Sequence, residues 1–256
     1  MTSIILPTLT VRFSLPLQPH QIPQWRGAVA EAAGDDLFHN HNNRPDEPIL
    51  VGEGQLGVGV LLETIRTSKK YHYRLPLIQY RVIDGQAGIF AIGEGVPILR
   101  RWLLSHEEQI RVGGKVVALM IDGMQERKYQ VRMLPEMRTY RLMDYLPFHA
   151  ENYLKWQQAD DLIERIQLLQ NTLTGQILGL TKGLGFWLPE RLELRILTIR
   201  KTRSLKVHGT QHLGFNLIYK ANIELPPNIA IGRSVSHGFG TQRPVRGNPD
   251  TPNPHL

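Results

Sequence analysis

An α+β protein built from two tandem halves of related pattern is the fold class this 256-residue sequence predicts. Three observations carry it. Strand-like runs precede a helix with one apolar stripe in both the first and second parts of the chain. Further strand-like runs follow each of those helices, and glycines or Asp-Gly pairs punctuate the joins.

In chain order, residues 4–15 alternate apolar and polar side chains through Leu9, Val11 and Phe13, which predicts a strand with one buried face. Pro23 suits a first helical turn, Trp25, Val29 and Ala32 follow at helical spacing, and Gly34 is a natural stop. Residues 35–70 lack periodicity: LFHNHNNRP is polar and turn-rich, and VGEGQLGVGVLL carries four glycines, so an insertion is expected at about 43–70. Strand signals resume in YHYRLPLIQYRVIDGQAGIFAIG, where Asp84-Gly85 separates two apolar runs as a hairpin turn would. A second helix is expected over 96–104, burying Ile98, Leu99, Trp102 and Leu103, with strands over 112–120 and 128–134. Residues 1–135 thus form a β-α-β-β-α-β half.

The second half is expected over 136–240. It opens on the strand MRTYRLMDYLPF and continues into a helix over 160–180, where Leu162, Ile166, Leu169, Leu173, Ile177 and Leu180 draw one stripe and Asp161 with Glu164 resembles a capping box. LELRILTIRK, SLKVHG and GFNLIYKANIEL read as three more strands. Two ferredoxin-like halves in tandem describe this order most economically. The last stretch, 241–256, holds four prolines and few apolar residues and is expected to be a disordered tail.

Composition narrows the function. With no cysteine there is neither a disulfide framework nor a thiolate metal site. The N-terminus lacks the pattern of a signal peptide, and no apolar run approaches the roughly 20 residues that span a bilayer, so a cytoplasmic protein without a membrane partner is expected. The net charge of +7 favours a polyanionic partner. From 191 to 246 there are ten Lys or Arg residues against only Glu193 and Glu224, so the whole excess sits in the C-terminal part. Arg200, Lys201 and Arg203, with Arg195 and Lys206, are candidates to line an RNA path; a solvated strand face is the ordinary alternative.

Within that part, PPNIAIGRSVSHGFG holds Gly232, Arg233, Ser234, Ser236, His237, Gly238, Phe239 and Gly240. Glycines let backbone amides approach an anion, Arg233 adds charge, the two serines can donate to phosphate oxygens, and Phe239 can stack on a base or pack inward. A glycine-rich turn between strands is the competing reading. A Walker loop is excluded because no Gly-Lys-Ser/Thr is present.

A C-terminal GxxxxxGFG preceded by an apolar strand and Leu-Pro resembles the signature of the CRISPR-associated repeat-processing endoribonucleases, members of the RAMP superfamily. LTVRFSLPL with its helix is similar to that family's N-terminus, and LFHNH followed by YRLPLIQY is similar to its subtype I-B branch. The resemblance implies tandem ferredoxin-like halves, a CRISPR repeat RNA as substrate and an interference (Cascade-like) complex as a further partner, as a monomer or a homodimer. It also implies a histidine just past the first helix that acts on the RNA with help from a Tyr or Lys.

His39 and His41 stand at that location, two apart, so in an extended segment both imidazoles project to one side. A neutral imidazole can take the proton of an RNA 2′-hydroxyl while another group protonates the departing 5′-oxygen, which needs no metal and no cofactor. Tyr73 continues the family context and is the favoured helper, ahead of Lys69, Lys70 and Tyr71. Two other readings of the pair stay open: polar residues of an Asn-rich loop, and a metal site completed by Asp35, Asp36, Asp46 or His72. The functional expectation is a metal-independent endoribonuclease cutting precursor CRISPR RNA within its repeats; the alternative is a non-catalytic RNA-binding subunit of a CRISPR effector complex.

Overall fold

The computed structural model describes residues 3–34, 75–207 and 210–245. The expected insertion at 43–70 lies outside them. Strand β1 (Ser3–Pro16) leads through a short 3₁₀ turn into helix α1 (Ile22–Ala33), which ends where Gly34 takes a left-handed φ of 59° and donates its N–H to the Ala30 carbonyl. β2 (Ile78–Ile83) and β3 (Gln86–Ile92) form the expected hairpin, with positive φ at both Asp84 and Gly85. Helix α2 (Gly95–Ser105) follows, burying Val96, Leu99 and Trp102, while Ile98 and Leu103 are only partly buried.

The single strand expected over 112–120 is instead a hairpin, β4 (Gln109–Val112) and β5 (Lys115–Ala118). Gly113 and Gly114, at φ of 57° and 83°, turn the chain back on itself. Then comes β6 (Ile121–Tyr145), 25 residues long and common to both halves. Its first part pairs with β1 from Ile121 to Arg132, and its later part pairs with β8 (Thr210–Glu224) from Arg132 to Tyr145. The boundary expected at 135/136 falls inside this strand.

Helices α3 (Ala150–Gln158) and α4 (Leu162–Gly183) follow. At the start of α4 the Asp161 carboxylate accepts the Glu164 N–H at 2.8 Å, and Glu164 accepts the Asp160 N–H at 2.9 Å, so two donors at the helix end are satisfied reciprocally. The stripe buries Leu169, Leu173, Ile177 and Leu180, whereas Leu162 is 67% exposed because the helix overhangs the core by its first turn. The two strands expected over 192–201 and 204–209 are one, β7 (Leu194–Val207). Its ladder to β8 shifts register near Ile196 and again near Ile199 without breaking, which is why the apolar spacing along it looks interrupted.

Residues 241–244, expected to begin a disordered tail, form strand β9 (Thr241–Pro244) on β6. Pairing is possible there because Gln242 is fully buried and its amide donates to the Pro226 carbonyl at 2.8 Å. The sheet order is β2-β3-β1-β6-β8-β7, with β9 beside β6. In the first half the order is fourth-first-third-second strand (β6, β1, β3, β2), and the second half repeats it as β9, β6, β8, β7. The fold is α+β with two ferredoxin-like halves sharing β6. In the second, the glycine-rich segment leads into the last strand where the first half has α2.

Two cores result. Leu9, Val11, Phe13, Ile89 and Ala91 face α1 and α2, where Trp25 and Trp102 both pack edge-on against Phe13. Phe90 and Ile92, on the opposite side of β3, and Val131 of β6 join Leu169, Leu173, Tyr140, Tyr219 and Phe215 in the second core. Both sides of β3 are therefore covered, so it reads as a continuous apolar run.

Candidate nucleic-acid interface

The chain enters the glycine-rich segment from β8 through Leu225, whose N–H donates to the Tyr140 hydroxyl, while that hydroxyl donates to the Ile223 carbonyl at 2.6 Å. Burial pushes the Tyr140 phenol up to about 12, so it remains a donor at neutral pH. Beyond it, each of the three glycines sits where a side chain has no room. A Cβ on Gly232 (φ 105°) would meet the Tyr145 ring at 2.8 Å, and one on Gly238 (φ 83°) would lie 3.0 Å from Ile22 and 3.1 Å from the Tyr80 carbonyl oxygen. On Gly240 (φ 71°) it would fall 1.9 Å from the Ile231 carbonyl oxygen. Gly238 thus abuts α1 and β2 of the first half while Gly232 and Gly240 close against the second.

Several backbone donors of the segment are committed within the protein: Arg233 to the Leu146 carbonyl, His237 to Ser234, Gly238 to Val235 and Gly240 to Asp144. Ser234 (φ 53°), Ser236 and Phe239 are half-buried, and His237 is buried. The Arg233 guanidinium donates to the Phe148 carbonyl at 2.6 Å, which uses one of its five N–H donors.

His149 stands next to that carbonyl, at the N-cap of α3. Partial burial first, and the Arg233 charge second, hold its imidazole below the ordinary histidine range. Nothing in the sequence brings His149 and Arg233 together, because they lie far apart in the chain. An Arg233→Gln variant is expected to raise the His149 pKa part of the way toward 6.5, leaving the burial contribution, as read by NMR titration of the ring protons. Because the folded-state pKa is depressed, the unfolded chain protonates first as pH falls below 6.5. Stability contributed by this group is therefore present above that range and lost on its acid side.

A second unforeseen link joins the segment to the basic strand. Arg203 of β7 forms an ion pair with Asp144, whose carbonyl accepts the Gly240 N–H at 3.1 Å. Arg203 and Gly240, two of the sequence-derived candidates, therefore share one residue of β6. Arg200 and Lys201 are exposed on β7, as are Arg195 and Lys206. Across the seam between the halves, Arg81 of β2 is 8% exposed. It donates to the Asn228 carbonyl and to Gln79, each at 2.9 Å, and lies 4.6 Å from the Phe90 ring centroid. Burial, and secondarily Arg243, push its pKa down to about 9, so it stays charged at neutral pH.

His39, His41 and Tyr73 lie outside the described residues, as do Lys69, Lys70 and Tyr71. Among the described residues no group of three His, Asp or Glu could hold a metal ion, and no helix is long and apolar enough to cross a membrane.

Two ferredoxin-like halves on a shared strand, closed by a C-terminal glycine-rich segment, define the chain as a double ferredoxin-like protein. Comparison with known proteins narrows this. The family model of the Cas6b N-terminal domain matches residues 61–130 and that of the Cas6b C-terminal domain matches 132–245. The chain belongs to the Cas6b family. Tyr73 falls within the N-terminal match; His39 and His41 precede it.

Among solved structures, a Cas6b crystal structure is similar over 94% of this chain and 100% of its own, at a TM-score of 0.75 and 22% identity. A structure described as a CRISPR RNA processing endoribonuclease Cas6b gives 0.67 and 21% over the same shares. A type IV Cas6 crRNA endonuclease, Csf5, gives 0.54 and 13% over 95% of this chain and all of its own. An uncharacterized protein of Methanocaldococcus jannaschii is 27% identical over 135 residues, 52% of this chain and 90% of its own length.

Proposed function

We propose that this protein is an endoribonuclease that cleaves precursor CRISPR RNA within its repeats. The observation that carries the reading is the match of both halves to the Cas6b family, a family with a structure described as a CRISPR RNA processing endoribonuclease. The exposed cations of β7 and their link through Asp144 to the glycine-rich segment give the C-terminal half the charge an RNA backbone needs.

The chemistry is assigned to His39 and His41, with Tyr73 as helper. One imidazole removes the 2′-hydroxyl proton, the 2′-oxygen bonds to the adjacent phosphorus, the bond from phosphorus to the 5′-oxygen breaks, and a second group protonates that oxygen. The products are a 2′,3′-cyclic phosphate, or the 3′-phosphate it opens to, and a 5′-hydroxyl. No metal takes part. The glycine-rich segment holds the RNA through Arg233, Ser234, Ser236 and Phe239, together with Arg200, Lys201 and Arg203, while Gly232, His237, Gly238 and Gly240, packed against the rest of the protein, set the shape of the segment. The released guide RNA passes to an interference complex.

The test is incubation with repeat RNA in EDTA, beside the same RNA carrying a 2′-deoxy sugar at the cleaved position. Cleavage of the all-ribose RNA alone is the expected result. Binding of both without cleavage of either would favour a non-catalytic RNA-binding subunit, and loss of activity in EDTA would favour a metal phosphoesterase.

A further inference from the structure

The connection from α4 into β7 carries an exposed aromatic ring that the proposed reading does not use. Trp25 and Trp102 are buried and Trp156 packs against Phe148 and Phe215, but Trp187 is 69% exposed. On one side the Lys182 ammonium, in the last turn of α4, lies 4.9 Å from the ring centroid. The ring borders an open groove of about 840 Å³ between α4 and the start of β7, whose rim carries Asn171, Arg191 and Arg195. Glu190 and Glu193 also line it, so cations exceed carboxylates by only one, and charge within the groove does not by itself select a partner.

Continuity does. Arg195 belongs both to the groove and to β7. Its ladder partner is Lys220, and Asn216 and Gly214 stand opposite Lys201 and Arg203, which places the exposed cations Arg195, Lys201 and Arg203 on one face of that strand. A groove that shares Arg195 with a row of cations, with a π-face backed by an ammonium and an amide side chain at its rim, has the parts of a single-strand platform. A base stacks on the ring, phosphates lie against the cations, and the amide reads a base edge.

Resting on the RNA-binding reading above, we propose that this groove binds unpaired nucleotides of RNA adjoining the repeat, with one base stacked on Trp187. The segment acts apart from the cleavage chemistry, and it lengthens the stretch of transcript that the protein holds.

Anisotropy titrations of the full chain test this with a repeat RNA and with the same RNA extended by about ten unpaired adenosines at its 5′ or its 3′ end. The wild-type protein is expected to bind one extended RNA about tenfold tighter than the bare repeat. Trp187→Ala should erase that gain and leave bare-repeat affinity and the thermal midpoint unchanged, and Trp187→Phe should keep most of it. No gain from either extension, or a gain that survives in Trp187→Ala, overturns the proposal and leaves the ring to a protein partner. A wild-type protein that binds neither RNA overturns the RNA reading itself, which separates the two failures.

Discussion

Replacing both His39 and His41 with Ala is expected to lower the rate of repeat-RNA cleavage about a thousandfold or more, with RNA affinity nearly unchanged. A positioned general acid or base is worth about 10²–10⁴ in rate, and the double variant removes both imidazoles from the proposed site. Affinity is expected to be spared because the cations proposed to neutralise phosphates sit elsewhere, on β7 and the glycine-rich segment. Single variants separate the roles: the histidine that acts as base should also set the acid limb of the pH profile of cleavage. Single-turnover cleavage with the product ends mapped, alongside binding isotherms, is the measurement. Undiminished cleavage by the double variant would remove the catalytic assignment from this pair.

The fold was legible in the sequence wherever one side of an element is buried and the other wet. α4 announced itself by its stripe and by Asp161 with Glu164, and the β2-β3 turn by Asp84-Gly85. It was illegible where one element serves two environments. β6 pairs with β1 over its first part and with β8 and β9 over its second, so its burial pattern changes midway and its sequence looks like two strands around Pro135. β7 hides behind two register shifts, and β9 behind the prolines that follow it.

For the candidate site the division is similar. The glycine-rich segment and the cations of β7 could be found by composition. The bonds that tie them together could not, since Arg203, Asp144 and Gly240 meet only because β6, β7 and the end of the segment converge in three dimensions. Trp187 gave no signal either, because an exposed and a buried tryptophan look alike in a sequence without periodicity around them.

Gly240→Ala is expected to destabilise the protein by about 3 kcal/mol or more, read as a lowered urea midpoint at unchanged slope. The φ of 71° already disfavours any side chain, and the added carbon would fall 1.9 Å from the Ile231 carbonyl oxygen, 3.0 Å from its carbon and 3.3 Å from the Ile231 nitrogen. None of these is the end of a flexible side chain that can swing away. Gly240 cannot retreat either, since it accepts the Ile231 N–H at 2.8 Å and donates to Asp144 at 3.1 Å. Gly34→Ala separates strain from collision, because Gly34 has a similar φ of 59° with nothing among the described residues within 4 Å of the added carbon. That variant should lose only about 1 kcal/mol. RNA affinity should also fall in Gly240→Ala under conditions where it remains folded, since displacing Asp144 releases Arg203 from its position. Equal losses in the two variants would mean that the segment does not close on Ile231 as described, and the link from the segment through Asp144 to β7 would go with it.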